Sequence, residues 1–439
     1  MITDKKNFLK WLRGAAPYIR EHSGKTFVIQ IDGDLVASDH FQGFVHDIAL
    51  LNTLGIRVVV VFGVRAQVEK LLDERGIQSV YHRNLRVTDK AALECFKEAV
   101  GSVRFEIEAK LSMGLPNSPM AHSDITVSSG NFVTARPMGV IDGTDMQFTG
   151  SLRKVDADAI RSRLDNGDVV LLSPLATSVT GEVFNLSALS VATQTAIELG
   201  ADKLILSFNY DGINGVDGEA LHQITDSEAE TLLQTAGDVD IAPWVQLAGA
   251  VQACKASVQR VHLIDDRDDS SLLIELFTRD GIGTLISHSR FDAVRRAGHD
   301  DIAGIMELIE PLVVQGRLVE RSIEQLESEI EDFTVLDRDG AVIACVATHV
   351  YSGGNIAEMA CMVVHPDYQN QGKGQLLYQQ VENALKKQGI SKVFLLTTQA
   401  NHWFIEQGFV EAQVDDLPLA RQDLYNYQRN SKVLLKKLD

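Results

Sequence analysis

From Ala357 to Gln380 the chain reads AEMACMVVHPDYQNQGKGQLLYQQ. Its first part, Glu358 to Val364, is short and apolar, the pattern of a buried strand. His365-Pro366-Asp367 stops it, because proline fixes φ and lacks an N–H. Gln369-Asn370-Gln371-Gly372-Lys373-Gly374 follows, after which Leu376, Leu377, Val381 and Leu385 recur at helical spacing. The order predicted is strand, turn, glycine loop, helix.

A glycine loop that opens a helix leaves several backbone N–H groups unpaired and pointing outward. With the positive end of the helix dipole they form a site for a phosphate or pyrophosphate. Glycine at 372 and 374 would let the phosphate reach the backbone, and Lys373 would add a mobile positive charge. G-x-G by itself fits a surface turn capping a helix equally well. The longer string, V-H-P-x-Y-[Q/R]-x-x-G-x-G between an apolar strand and an amphipathic helix, resembles the acetyl-CoA-binding motif of the GNAT superfamily of acetyltransferases. That resemblance covers residues 293–439 and implies acetyl-CoA as co-substrate, with no metal. It implies that Gln369 and the amides from Gln371 to Gly374 (Gln371, Gly372, Lys373, Gly374) hold the CoA pyrophosphate. The backbone of Met362 and Val364 would align the pantetheine arm as if it were another strand.

A chain of 439 residues exceeds what one core usually supports, so more than one domain is expected. The net charge of −19 argues against nucleic acid or an anionic membrane as the main partner. Cys95, Cys254, Cys345 and Cys361 stand far apart with no C-x-x-C, which disfavours a zinc site or a disulfide framework. No apolar run is long enough to span a bilayer, and the N-terminus lacks a signal peptide's pattern. A cytoplasmic location is expected.

Upstream, Phe8, Leu12, Ala15, Ala16 and Ile19 form one stripe of a leading helix within residues 1–22, which a partner subunit or the domain's own body would cover. Thr26–Ile31 and Arg57–Phe62 are predicted strands, and Phe41–Leu54 and Ala66–Arg75 helices, each followed by glycine. Helices over 89–112, 187–199 and 241–257 alternate with strands over 169–172, 203–208, 261–264 and 284–286. Repeated β-α-β with buried strands argues for a doubly wound, mostly parallel α/β sheet. Residues 287–292 are the expected linker. A second α/β domain over 293–439 would hold a helix over 318–330 and the stretch quoted above.

Residues 25–286 resemble the amino acid kinase fold, specifically acetylglutamate kinase. The matching stretches include Gly55-Ile56-Arg57-Val58-Val59-Val60, Arg86-Val87-Thr88-Asp89, Ala201-Asp202-Lys203-Leu204-Ile205 and Gly281-Ile282-Gly283-Thr284. The departures fall on the phosphate site. Gln30 stands where the family has lysine, Asp32-Gly33 where it has two glycines, and Leu189 where it has aspartate. Phosphoryl transfer needs positive charge and amides around the moving group, and an aspartate would repel it. The domain is therefore read as catalytically dead and kept for binding. In arginine-inhibited relatives, arginine sits between the leading helix and the end of this domain. The resemblance places such a site at Tyr18, His262, Glu275 and Gly281, with Glu275 accepting the guanidinium.

Acetyl transfer to an ammonium needs a base that removes a proton before the thioester is attacked. Glu358, beside the expected thioester, matches the glutamate proposed as base in related synthases, and Thr397 the position of a Ser or Thr that assists the leaving thiolate. The Cys361 amide could polarise the acetyl carbonyl or hold substrate. Val319 and Arg321, and the segment Arg429-Asn430-Ser431, match positions that hold substrate in relatives, with Arg429 and Ser431 on glutamate carboxylates. The two halves together resemble the bacterial N-acetylglutamate synthase family. That resemblance implies transfer of acetyl to L-glutamate, the first step of arginine biosynthesis. It also implies inhibition by L-arginine and a homo-oligomer, a ring of six. The rival is an amino-acid-sensing GNAT protein that acetylates another acceptor such as a protein lysine, against which Arg321 and Arg429 argue.

Overall fold

The computed structural model describes residues 5–83, 85–114, 120–121, 123–210, 212–214, 220–236, 242–267, 271–288, 292–338, 340–351, 355–398, 401–426 and 431–438. The chain divides into two compact units, Met1–Arg290 and Phe291–Asp439. Ser287 still belongs to the last strand of the first unit, and Asp292 opens the first strand of the second.

The first unit is built on an eight-stranded sheet. Its order is Gln223–Thr225, Thr284–Ser287, Arg260–Asp265, Lys203–Phe208, Thr26–Ile31, Arg57–Phe62, Val169–Leu172 and Val127–Ser129. Every pairing is parallel except that of Arg260–Asp265 with Thr284–Ser287. The central strands Thr26–Ile31 and Lys203–Phe208 are buried along their whole length, as a parallel sheet covered on both faces requires. Two apolar cores result, one on each face.

The leading helix Lys5–His22 splits its stripe. Ala15 is buried, and Tyr18 and Ile19 pack on the unit's own core. Phe8, Leu9, Trp11 and Leu12 remain exposed. His22 fixes the end of the helix, its Nε2 lying 2.8 Å from the Leu276 carbonyl.

The second unit is a seven-stranded sheet ordered Asp292–Arg296, Phe333–Arg338, Ala341–Tyr351, Ile356–Val364, Lys392–Thr397, Lys432–Lys437 and Val410–Ala412. All pairings are antiparallel except Ile356–Val364 with Lys392–Thr397. The helix Lys373–Lys387 packs Leu377, Tyr378, Val381 and Leu385 on one face of this sheet. The helix expected over 318–330 is shorter, Ile323–Glu329, because the Ser322 hydroxyl caps it by accepting from the Gln325 amide. No helix among the described residues is long and apolar enough to cross a membrane.

Candidate functional site

The single parallel pairing in the second sheet is short. Ile356, Ala357 and Glu358 pair with Lys392, Val393 and Phe394, and there the register ends. Beyond Glu358 the strand continues to Val364 with a neighbour on one side only, while Lys392–Thr397 follows Lys432–Lys437. The two strands thus part in a V with Glu358 and Phe394 at its apex. Main-chain groups of the diverging arm, Met362 and Val364 among them, lie open to an extended ligand on that side. The Val364 carbonyl accepts from Gln369 Nε2 at 3.0 Å, so Gln369 occupies the place a ligand amide would take.

The same strand carries a β-bulge. Ala344 faces Val364, Cys345 faces Val363 and Ala347 faces Ala360, so Cys361 and Met362 together stand opposite Val346. Cys361 adopts φ 51°, in the left-handed region that a non-glycine residue occupies only at a cost. A bulge re-aims the groups it carries, and here it turns the Cys361 peptide away from the regular ladder.

At the end of the strand, Gly372 caps the helix Lys373–Lys387 with φ 72°. The amides of Gln371, Gly372, Lys373 and Gly374 donate to no described residue, whereas the Leu376 amide already closes the helix on the Gly372 carbonyl at 2.9 Å. These orphan donors face outward at the positive end of a long helix. Two expectations need correcting. Lys373 is not a mobile charge, because its ammonium is ion-paired with Asp292, which also lies 3.4 Å from Arg338. A Cβ at Gly374 would sit 3.4 Å from Val364 and 3.9 Å from Met362 and Trp403, all ordinary contacts, so the packing itself does not require glycine there. The left-handed backbone at Gly372 is the stricter requirement.

Glu358 is buried, yet its carboxylate is paired. Tyr351 Oη donates to Oε2 at 2.9 Å, and Arg421 Nε donates to the same oxygen at 2.8 Å. Oε1 accepts no hydrogen bond from the described residues. Burial, followed by the Glu358 charge, pushes the Tyr351 phenol well above its ordinary range, so it stays a donor. Arg421 was not among the residues singled out in the sequence. It lies on the short helix Leu419–Gln422, and no local pattern links it to position 358.

The expected substrate residues lie on separate elements of the same unit. Arg321 lies over the Phe333 ring, and its charge reaches the buried Cys345 and Cys361 thiols. Its Nε stands 3.6 Å from Glu329 Oε2, and neither atom has a hydrogen-bond partner. Val319 is exposed just before it. Thr397 ends its strand opposite Lys432, so Ser431 lies just before the start of the neighbouring strand. The Ser431 carbonyl is held by Tyr425 Oη at 2.6 Å. Arg429 lies outside the described residues.

In the first unit, the place of a kinase phosphate loop is filled by the chain itself. Gln67 Nε2 donates to the Gly33 carbonyl at 2.7 Å, and a Cβ on Gly33 would fall 2.3 Å from Gln67 Oε1. Asp32 is held by Gln30 at 2.7 Å, and burial raises its pKa. Burial, then the charges of Asp32, Asp265 and Asp34, raise Asp266 to about 6. The carboxylates of Asp32, Asp265 and Asp266 make this an unfavourable place for a polyphosphate.

Three of the residues expected at the arginine site, His262, Glu275 and Gly281, meet beside the strand Arg260–Asp265, with one correction. Glu275 is not a free acceptor. Its Oε1 lies 2.6 Å from His262 Nδ1, and its Oε2 accepts from the Ile282 and Gly283 amides at 2.8 Å each. Burial alone would raise its pKa, but the His262 bond and those amides hold it down at about 2. Burial and the nearby Lys203 ammonium, 3.5 Å from Nε2, keep His262 neutral. Gly281, φ 60°, turns the loop tightly enough that a Cβ there would strike Glu275. Tyr18 is half-buried on the leading helix.

Comparison with known proteins agrees with this division. Residues 25–265 match the model of the amino acid kinase family, and residues 302–409 that of the acetyltransferase (GNAT) family. The amino-acid acetyltransferase of Photobacterium profundum is 48% identical over 430 residues, which is 97% of this chain and 98% of that protein. That of Proteus mirabilis is 46% identical over 426 residues, 96% of each. Among solved structures, N-acetylglutamate synthase from Neisseria gonorrhoeae complexed with coenzyme A and L-arginine aligns at TM-score 0.86 and 38% identity, covering 98% of this chain and 99% of that one. The same enzyme complexed with coenzyme A and N-acetyl-glutamate aligns at TM-score 0.63 over the same shares.

Proposed function

The chain belongs to the amino-acid acetyltransferase family, and from that premise we propose that it transfers acetyl from acetyl-CoA to the α-amine of L-glutamate, under feedback inhibition by L-arginine. The observation that carries this reading is the V between two strands, with a buried carboxylate at its apex and four free amides where its open arm meets the helix. Coenzyme A suits that arrangement, with its pyrophosphate on the amides from Gln371 to Gly374 and its pantetheine along Met362 and Val364. The thioester then falls near Glu358.

In the proposed reaction, Glu358 takes a proton from the ammonium, directly or through one water. The neutral amine attacks the acetyl carbon, the N–C bond forms and the C–S bond breaks. The Cys361 amide steadies the carbonyl oxygen as charge develops on it. The nitrogen's second proton passes to the departing thiolate, which the Thr397 hydroxyl meets as it leaves. Arg321 and Arg429 hold the two carboxylates, with Ser431 beside them, which favours glutamate over neutral or basic amino acids. The N-acetyl-glutamate bound by the gonococcal relative supports the product assignment.

The arginine site proposed lies where the leading helix meets the 281–283 turn, between Tyr18 and His262. The L-arginine in the gonococcal relative supports inhibition by this ligand. Glu275 serves such a site by holding the turn rather than by touching the guanidinium. The exposed Phe8, Trp11 and Leu12 support a homo-oligomer, assigned as a hexamer, formed through the leading helix.

One assay tests the proposal. CoA release is followed against a panel of amino acids, with and without arginine. Glutamate should be turned over and lysine and aspartate should not. Equal rates with lysine would overturn the acceptor. Arginine should lower the glutamate rate, and Tyr18→Ala should raise the arginine concentration needed. Unchanged inhibition in that variant would move the site elsewhere.

A further inference from the structure

Glu358 is clamped on one oxygen and open on the other. Both of its hydrogen bonds, from Tyr351 at 2.9 Å and from Arg421 at 2.8 Å, end on Oε2. A buried carboxylate left without hydrogen-bond partners is costly, and these two donors supply them. Their arrangement does more than neutralise it. Two donors converging on one oxygen fix the torsion of the carboxylate and leave Oε1 without a partner among the described residues.

The clamp is itself held. Arg421 Nη1 donates to the Leu424 carbonyl at 3.2 Å, which fixes the plane of the guanidinium. Gln422 Nε2 donates to the Leu417 carbonyl at 2.7 Å and ties the segment back on itself. Tyr351 packs its ring against Phe394, 5.9 Å between centroids, at the apex of the V. The segment that supplies Arg421 also supplies Tyr425, which holds the Ser431 carbonyl at 2.6 Å. One stretch of chain thus sets both the carboxylate at the apex and the start of the last strand.

We propose that Arg421 and Tyr351 clamp Oε2 of Glu358 so that Oε1 faces the acceptor amine, making both of them positioning residues for acetyl transfer. This rests on the reading of Glu358 as the base. The guanidinium contributes direction as well as charge, since its planar fork donates along a fixed line where an ammonium would not.

The test is steady-state kinetics on the full chain, varying glutamate and acetyl-CoA separately. Arg421→Met should lower kcat about 10- to 100-fold, the range found for groups that orient another functional side chain. KM for acetyl-CoA should stay within about twofold, because the cofactor loop is untouched. Arg421→Lys should recover only part of the loss. Tyr351→Phe keeps the ring and removes one hydroxyl, so it tests the clamp even if Arg421→Met folds poorly. It should lower kcat by about 3- to 10-fold. The decisive comparison is Arg421→Met in a Glu358→Gln background, where it should cost less than about threefold more, since residues that act through one another are not additive. A full second loss in that background would overturn the proposal, as would unchanged kcat in both Arg421→Met and Tyr351→Phe. Unchanged kcat in Glu358→Gln alone would instead remove the base, and the clamp's role with it.

Discussion

Two glycine turns in this chain follow a buried strand and open a helix, and they have opposite fates. In the first unit, Asp32-Gly33-Asp34 follows the strand Thr26–Ile31, and Gln67 closes over the Gly33 carbonyl. In the second, Gln371–Gly374 follows Ile356–Val364, and its four amides donate to nothing described. The helix after the first turn spans only Gly33–Val36, whereas that after the second runs from Lys373 to Lys387. Strand, glycine and helix are therefore not enough to make a phosphate site. What matters is whether a side chain already fills the space against the turn, and what charge stands beside it. The same contrast holds elsewhere in the two units: Glu275 has both oxygens engaged, whereas Glu358 keeps one open.

The largest effect should come from opening the closed network. Glu275→Ala strands His262 and the amides of Ile282 and Gly283, and each buried donor left unpaired costs about 1–3 kcal/mol. Urea unfolding followed by circular dichroism should show the first unit melting at markedly lower urea. An unshifted midpoint would mean that Glu275 is not the latch its bonds describe.

Next in size is a pH effect at His22. Burial, then the Lys203 charge, hold its pKa near 4 against an ordinary 6.5. A histidine depressed on folding binds its proton better in the unfolded chain. Stability is therefore complete above about pH 6.5 and falls as the pH drops toward 4, by about 3 kcal/mol in all. His22→Gln keeps a donor for the Leu276 carbonyl and removes this titration. The difference between the two proteins should shrink as pH falls across that window; parallel curves would sink the assignment.

These contrasts were unequally legible in the sequence. Apolar runs placed the central strands, and the helix expected over 89–112 is Lys90–Leu111. Gln30 and Asp32 stand out in the sequence, because the departure from the kinase pattern is written directly in the residue types. The stretch from Glu358 to Gly374 folds as its pattern dictated. Three features escaped. The bulge at Cys361 depends on register with a strand that no local pattern fixes. The pairing of Glu358 with Arg421 joins residues far apart in sequence through a segment with little periodicity. The saturation of Glu275 follows from a turn that brings two amides back onto it. Each is a tertiary fact, set by where the backbone returns rather than by which residues are neighbours.

On the open turn, Gly372→Val should weaken CoA binding. Valine at φ 72° is strained by about 1–3 kcal/mol, which corresponds to about a 5- to 150-fold rise in Kd. Gly374→Ala should stay within about twofold, since its Cβ would meet only ordinary contacts. Gly33→Ala in the closed turn should leave CoA binding alone. If Gly374→Ala proved the worse of the pair, helix packing rather than backbone geometry would govern the loop.

The smallest effect should come from the residue that composition alone makes most conspicuous. Lys373 carries the positive charge nearest the free amides in sequence, and a mobile ammonium there would be worth a large share of the phosphate affinity. Its pairing with Asp292 changes that expectation. To reach a phosphate it must leave a carboxylate, so the gain is the difference between two ion pairs rather than the whole of one. Differences of that kind come to about 0.2–1 kcal/mol, or at most about a fivefold change in Kd. Isothermal titration of CoA into Lys373→Met should show a loss of that order, and Asp292→Asn, which frees the ammonium, should tighten binding slightly. A loss in Lys373→Met as large as that in Gly372→Val would mean that the ammonium abandons Asp292 when the cofactor arrives. The open turn would then work by charge rather than by its amides.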